Sequence, residues 1–248
     1  MAQNTLEQRF LDYFSKGRVV GSNILDQTHF INYKLPAQLW NEAIQTRFIP
    51  EFFNSLTPAP DCIVTIRNSG PFLASFLSCA LGLDVIGISK GEPATFKGKK
   101  VLTQDVESRT YGTKETLYLP LDLLTNQVTQ EPYTNCVLVD DFSGRGKTMR
   151  TATQLATDAG LHVRGAFVGV SKTFEGGLEL IANTGHVARV ESAVHVSRIE
   201  RYTKQFSRVS IERVLMRDFE KSKAIYMPYQ EKKDSNNYEY TNMRHHCV

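Results

Sequence analysis

Asp140 and Asp141 stand side by side after the apolar residues Cys136–Val139, and Gly144, Arg145, Gly146, Lys147 and Thr148 follow three residues later. Adjacent carboxylates accept hydrogen bonds from hydroxyl groups or hold their metal-bound form. The loop behind them suits the opposite charge. Glycines at 144 and 146 let backbone N–H groups converge, Arg145 and Lys147 are cationic, and a helix beginning there presents its positive end to a phosphate. A phosphorylated sugar satisfies both ends. Two common nucleotide loops do not fit: a Walker A loop needs glycine where Asp141 stands, and G-x-G-x-x-G needs one where Met149 stands. An acid pair before a glycine is also an ordinary strand-end turn, so the weight rests on the whole constellation.

These residues need a strand to carry the acids and a helix to back the loop. Residues 136–140 read as a buried strand, and MRTATQLATDAG reads as a helix closing on Gly160. DCIVTIRNSG gives a second strand with a turn at 67–70, followed by the helix PFLASFLSCALGL. DVIGISKG gives a third strand ending at Lys90, and LHVRGAFVGVSK a fourth ending at Lys172. Every candidate loop then lies at a strand's carboxyl end, where ligands bind in open α/β sheets. Residues 91–119 are polar and glycine-punctuated, and read as a hairpin or flap. Before these strands, residues 4–16 place Leu6, Phe10, Leu11 and Phe14 on one helical face, 17–32 read as short strands or loops, and Pro36 opens a helix that Pro50 bends. After them come a short helix, GGLELIAN, and the strand HVARVESAVHV. From Arg198 the pattern decays, and 201–248 reads as an extension, partly helical and then with the composition of a disordered end.

The 248 residues, 41% hydrophobic and 22% charged with net charge +3, describe an ordinary soluble chain and give no case for a nucleic-acid partner. No run of about 18 apolar residues and no secretory leader is present, so the expectation is a cytoplasmic protein with no membrane partner. Cysteines 62, 79, 136 and 247 lack metal spacing, and the first three lie in apolar stretches that read as core. His186 and His195 have no partner at metal spacing and read as structural, so no protein-held metal is expected.

VLVDDFSGRGKT resembles the phosphoribosyl-diphosphate signature of the type I phosphoribosyltransferases. GRVVGSNILDQTHFIN, IVTIRNSG, VGVSKTFEGG and RVESAVHVSRIE are similar, in order, to stretches of the xanthine phosphoribosyltransferases, and the resemblance spans roughly residues 10–200. It implies an α/β fold with a mainly parallel sheet flanked by helices, a phosphoribosyltransferase domain at 1–200, a small hood at 1–57 and a flexible flap at 91–119. The implied reaction joins a purine, xanthine first, to 5-phosphoribosyl 1-diphosphate. Mg²⁺ would be bound mainly through that substrate, and the chain would be a homodimer.

By the same resemblance Asp140 and Asp141 hold the ribose and favour positive charge on it, and Gly144–Thr148 hold the 5-phosphate. Asn68, Ser69, Gly70 and Lys90 take the pyrophosphate, and Leu25, Asn32, Lys172 and Phe174 meet the base. Arg67 departs from the family, which carries an acid there. Hypoxanthine, guanine or adenine on the same scaffold is one alternative. A non-catalytic protein sensing phosphoribosyl diphosphate is another.

Overall fold

The computed structural model describes residues 5–21, 24–67, 69–108 and 113–231. Asn68, most of the Ser108–Thr113 stretch and residues 232–248 of the expected extension lie outside the described residues. The strands are β1 (Arg18–Val20), β2 (Ile24–Asp26), β3 (Cys62–Ile66), β4 (Asp84–Lys90), β5 (Val101–Ser108), β6 (Thr113–Pro120), β7 (Asn135–Ser143), β8 (His162–Lys172), β9 (Val190–Arg201), β10 (Phe206–Val214) and β11 (Arg217–Gln230). They form one sheet in the order β2-β1-β11-β10-β9-β8-β7-β3-β4-β6-β5. The central five, β4-β3-β7-β8-β9, run parallel, which brings the carboxyl ends of β3, β4, β7 and β8 to one edge.

Side chains alternate across this centre and divide the core in two. Ile63, Val137, Val139 and Phe167 point to one face with residues of α1 (Leu6–Phe14), α2 (Ala37–Ala43) and α4 (Gly70–Leu81), α3 (Ile49–Glu51) being a single turn after α2. Cys62, Val64, Leu138 and Val168 point to the other, with α5 (Lys147–Asp158) and α6 (Gly177–Ala182). Parallel strands covered on both faces must be apolar at successive positions, which is why β3 is buried at all five residues. The helix expected up to Pro50 is interrupted: α2 gives way to a π-pitched turn over Ile44–Phe48, and Pro50 stands in the first turn of α3. Cys79 is a correction, since it lies on the exposed side of α4 rather than in the core.

The N-terminal segments are tied to the sheet by aromatic rings. Phe10 packs on Phe30 and Trp40 at 5.0 and 4.9 Å, and Phe48 packs on Phe167 of β8 at 4.8 Å. The indole N–H of Trp40 donates to the Phe30 carbonyl at 3.1 Å, so the ring that fills the centre also leaves no polar atom unmet.

The helical expectation for the extension is corrected: Phe206–Val214 and Arg217–Gln230 are strands of the main sheet. Ser207 and Val209 turn inward on either side of exposed Arg208, and burial then continues through Ser210 and Ile211, where the pairing with β9 shifts register. Val214 pairs with Arg217 around a two-residue turn in which Leu215 and Met216 take φ of 51° and 63°. That turn ordinarily carries Asn-Gly, and its bulky residues conceal the hairpin in the sequence. β1 then pairs with β11, with Val19 opposite Tyr229, joining the N-terminal segment to the extension.

Candidate functional site

Asp140 and Asp141 lie toward the carboxyl end of β7, both half-buried, and the Asp141 N–H donates to Asp140 Oδ1 at 3.0 Å. Burial, and after it the charge of Asp141, pushes the Asp140 carboxyl well above the usual range. Burial also pushes Asp141 up, while the Lys90 ammonium pulls both down. Such a pair is relieved by hydroxyl donors or by added positive charge.

The loop after it folds as its glycines require. Gly146 caps α5 at φ 71°, and its N–H group lies against the backbone of Gly177. A Cβ on Gly177 would stand 2.1 Å from the Gly144 carbonyl oxygen and 2.8 Å from the Gly146 nitrogen, so the loop's shape depends on a glycine far along the chain. Arg145 is exposed and Thr148 half-buried at the start of the helix. Lys147 pairs with Glu107 of β5 at 3.0 Å, which joins the β5–β6 hairpin to the phosphate loop.

On the neighbouring strands, Ser69 is half-buried and Gly70 buried. Gly70 begins α4 directly against Asp140. Lys90 ends β4, 3.4 Å from Glu115 of β6. At the far side Lys172 is 6% exposed and bonds Glu175 at 2.5 Å, its ammonium 5.4 Å from the Phe142 ring and 6.0 Å from the Phe174 ring. Phe174 is 45% exposed, an aromatic face open at the site's edge.

The hood meets the acid pair through Gly169. A Cβ there would lie 1.9 Å from Ile31 Cδ1 and 2.7 Å from the Asp141 carbonyl oxygen, so Ile31 rests on the strand backbone and the next residue, Asn32, is brought beside the site. The Asn32 Oδ1 is sealed from solvent and has no hydrogen-bond partner among the described residues. Leu25 is 5% exposed and packs into the hood's own core. The structure thus gathers the acid pair, phosphate loop, Ser69, Gly70, Lys90, Asn32, Lys172 and Phe174 on one edge. The side chain of Leu25 is turned into the core behind it. Sequence reasoning passed over Glu107, Glu115, Phe142, Glu175 and Gly177. The FEGG glycine pair was the one local signal, since adjacent glycines mark close backbone approach.

No family model matches the chain. Among curated proteins, xanthine phosphoribosyltransferase of Leuconostoc mesenteroides is 29% identical over 195 residues, 79% of this chain and 95% of that protein. Xanthine phosphoribosyltransferase of Deinococcus deserti is 30% identical over 172 residues, covering 69% of this chain and 83% of that one. The chain belongs to the xanthine phosphoribosyltransferase family. As a member of it the protein is a purine phosphoribosyltransferase, a pentosyltransferase by class. Solved structures bear out the fold. Adenine phosphoribosyltransferase of Thermoanaerobacter pseudethanolicus aligns with a TM-score of 0.59 at 18% identity, over 77% of this chain and 99% of that one. The Trypanosoma brucei enzyme, in complex with AMP, pyrophosphate and ribose-5-phosphate, aligns with a TM-score of 0.59 at 14% identity, over 77% and 80%. Among the described residues no helix is long and apolar enough to cross a membrane.

Proposed function

We propose that this phosphoribosyltransferase converts xanthine and 5-phosphoribosyl 1-diphosphate to xanthosine 5'-monophosphate and pyrophosphate. The observation that carries the reading is the single sheet edge on which an acid pair, a glycine-shaped cationic loop and a buried lysine meet. Asp140 and Asp141 accept from the ribose hydroxyls, Gly144–Thr148 hold the 5-phosphate through backbone N–H groups and the start of α5, and Asn68, Ser69, Gly70 and Lys90 hold the diphosphate. Lys172 can only donate, which suits a carbonyl oxygen of an oxopurine and not the amino group of adenine. The unmet acceptor of Asn32 suits a ring N–H, Phe174 offers a face to the base, and Leu25 shapes the pocket from behind.

The bond between the anomeric carbon and the diphosphate oxygen breaks with its electron pair leaving on the diphosphate. A ring nitrogen of the base forms the new bond and its proton passes to solvent. Positive charge gathers on the sugar between these events, and the carboxylates beside it favour that charge, so the chain acts by orientation and electrostatics. No three His, Cys, Asp or Glu side chains converge as a metal cage among the described residues. Mg²⁺ would be held mainly by the substrate's own oxygens beside the Asp140–Asp141 carboxylates, and would neutralise charge on the diphosphate. The assembly is a homodimer working in the cytoplasm. Incubation with Mg²⁺, phosphoribosyl diphosphate and each of xanthine, guanine, hypoxanthine and adenine tests the substrate. Xanthosine monophosphate as the main product, lost in Asp141→Asn, supports it, and preference for another base overturns it.

A further inference from the structure

A cleft of about 390 Å³ opens at the ends of β3 and β4, lined by Arg67, Ser89, Lys90, Gly91, Glu92 and Pro93. Arg67 is held there at both ends of its stem. Its backbone N–H donates to the Ile88 carbonyl at 2.8 Å, and its Cγ and Cδ lie 3.1 and 3.3 Å from where a Cβ on Gly87 would stand. Gly87 therefore leaves the space along which the arginine stem runs, and any larger residue would crowd it.

The lysines of the site already hold carboxylates: Lys90 with Glu115, Lys147 with Glu107 and Lys172 with Glu175. No described carboxylate stands within ion-pair distance of Arg67. Its planar fork of donors matches two oxygens of a phosphate at once, which a lysine cannot do. Lys90 and Glu92 also line the cleft, and with Lys90 paired to Glu115, Arg67 is the cation there that no described carboxylate holds.

We propose that Arg67 is a diphosphate-binding residue, holding phosphoribosyl diphosphate by its leaving group and meeting the charge that collects there as the anomeric bond breaks. The inference rests on the placement of the diphosphate at residues 68–70 and Lys90. Arg67 adds a bidentate contact to that turn, so it acts on one end of the substrate and not on the 5-phosphate.

Calorimetric titration of the full chain with pyrophosphate plus Mg²⁺, and separately with ribose 5-phosphate, tests this in wild type, Arg67→Ala and Arg67→Lys. Loss of a charge-assisted contact predicts pyrophosphate affinity lower by about tenfold or more in Arg67→Ala, partly restored in Arg67→Lys. Ribose 5-phosphate affinity should be unchanged in all three. Equal pyrophosphate affinity in wild type and Arg67→Ala overturns the proposal and leaves the site assignment standing, and equal loss for both ligands overturns it by showing a general distortion. Failure of the wild-type chain to bind either ligand overturns the site assignment itself.

Discussion

Gly70 stands against Asp140: a Cβ at residue 70 would lie 2.7 Å from the Asp140 Oδ1 and 2.7 Å from the Thr65 Oγ1. Thr65 cannot yield freely, because its hydroxyl donates to the Val139 carbonyl at 2.8 Å. The first residue of α4 is thus small so that the acid pair can be placed. Gly70→Ala should turn the Asp140 carboxylate aside, and displacement of about 1 Å at a reacting centre costs about a hundredfold in rate. Steady-state kinetics should show that loss in kcat/KM for phosphoribosyl diphosphate, alongside a melting temperature lower by a few degrees from the overpacking. A variant with wild-type kinetics would show that Asp140 does not need its present position.

The contact between Gly177 and the phosphate loop is tighter still, and both partners are backbone. No rotamer change can relieve an added methyl group at 2.1 Å from the Gly144 carbonyl. Gly177→Ala should displace the loop and lower ribose 5-phosphate affinity by about tenfold or more, the scale of losing charge-assisted hydrogen bonds to a phosphate. Pyrophosphate affinity, read in the same titration, should change little. Unchanged ribose 5-phosphate binding would separate the loop from the 5-phosphate.

The raised carboxyls of Asp140 and Asp141 make the ligand-free fold sensitive to pH. A folded-state pKa above the unfolded one contributes stability fully below the unfolded value, and that contribution is lost as pH rises through the folded value. At neutral pH the pair therefore opposes folding. Asp140→Asn removes the charge without changing shape, so its melting temperature should exceed wild type by about 2–4 °C at pH 7 and converge with it below about pH 4, while activity is lost. A lower melting temperature at pH 7 would show that the pair's charge is already satisfied without ligand.

Two glutamates of the β5–β6 hairpin sit on lysines assigned to substrate phosphates. Lys90 and Glu115 are both mostly covered, at 23% and 20% side-chain exposure, and an anionic ligand must compete with that carboxylate. Glu115→Gln should lower the KM for phosphoribosyl diphosphate by about two- to fivefold, in line with a modest ion pair. Glu107→Gln should do less, since Glu107 is 82% exposed and solvent already screens it. A higher KM in Glu115→Gln would mean that the carboxylate positions Lys90 for the ligand rather than competing with it.

The acid pair, the phosphate loop and the strand-end lysines were legible because their chemistry follows the chain: strand, loop and helix are consecutive from Cys136 to Asp158. What was hidden depends on partners far apart in sequence. Gly177 matters only because the 144–146 loop folds onto it, and Leu25 reads as a base contact until the hood core closes over its side chain. Arg67 was visible as a departure, but its freedom from carboxylates is a fact of three dimensions. The hairpin at 206–230 was hidden by its turn, where Leu215 and Met216 take a backbone region that favours glycine and asparagine.

That hairpin gives the last test. Ile211 is fully buried on β10 and belongs to the same core as Phe10, Trp40 and Phe167, although it lies beyond residue 200. β11 carries β1 on its other side, and Lys223 donates to Gln8 of α1 at 2.6 Å, so the segment is part of what holds the hood. Ile211→Ala should cost about 2–5 kcal/mol, the range for truncating a buried isoleucine. Urea unfolding should show the whole chain's midpoint shifted in one transition, with the hood's Trp40 fluorescence and the far-ultraviolet signal moving together. Were 201–231 an independent appendage, Trp40 would report an unshifted midpoint.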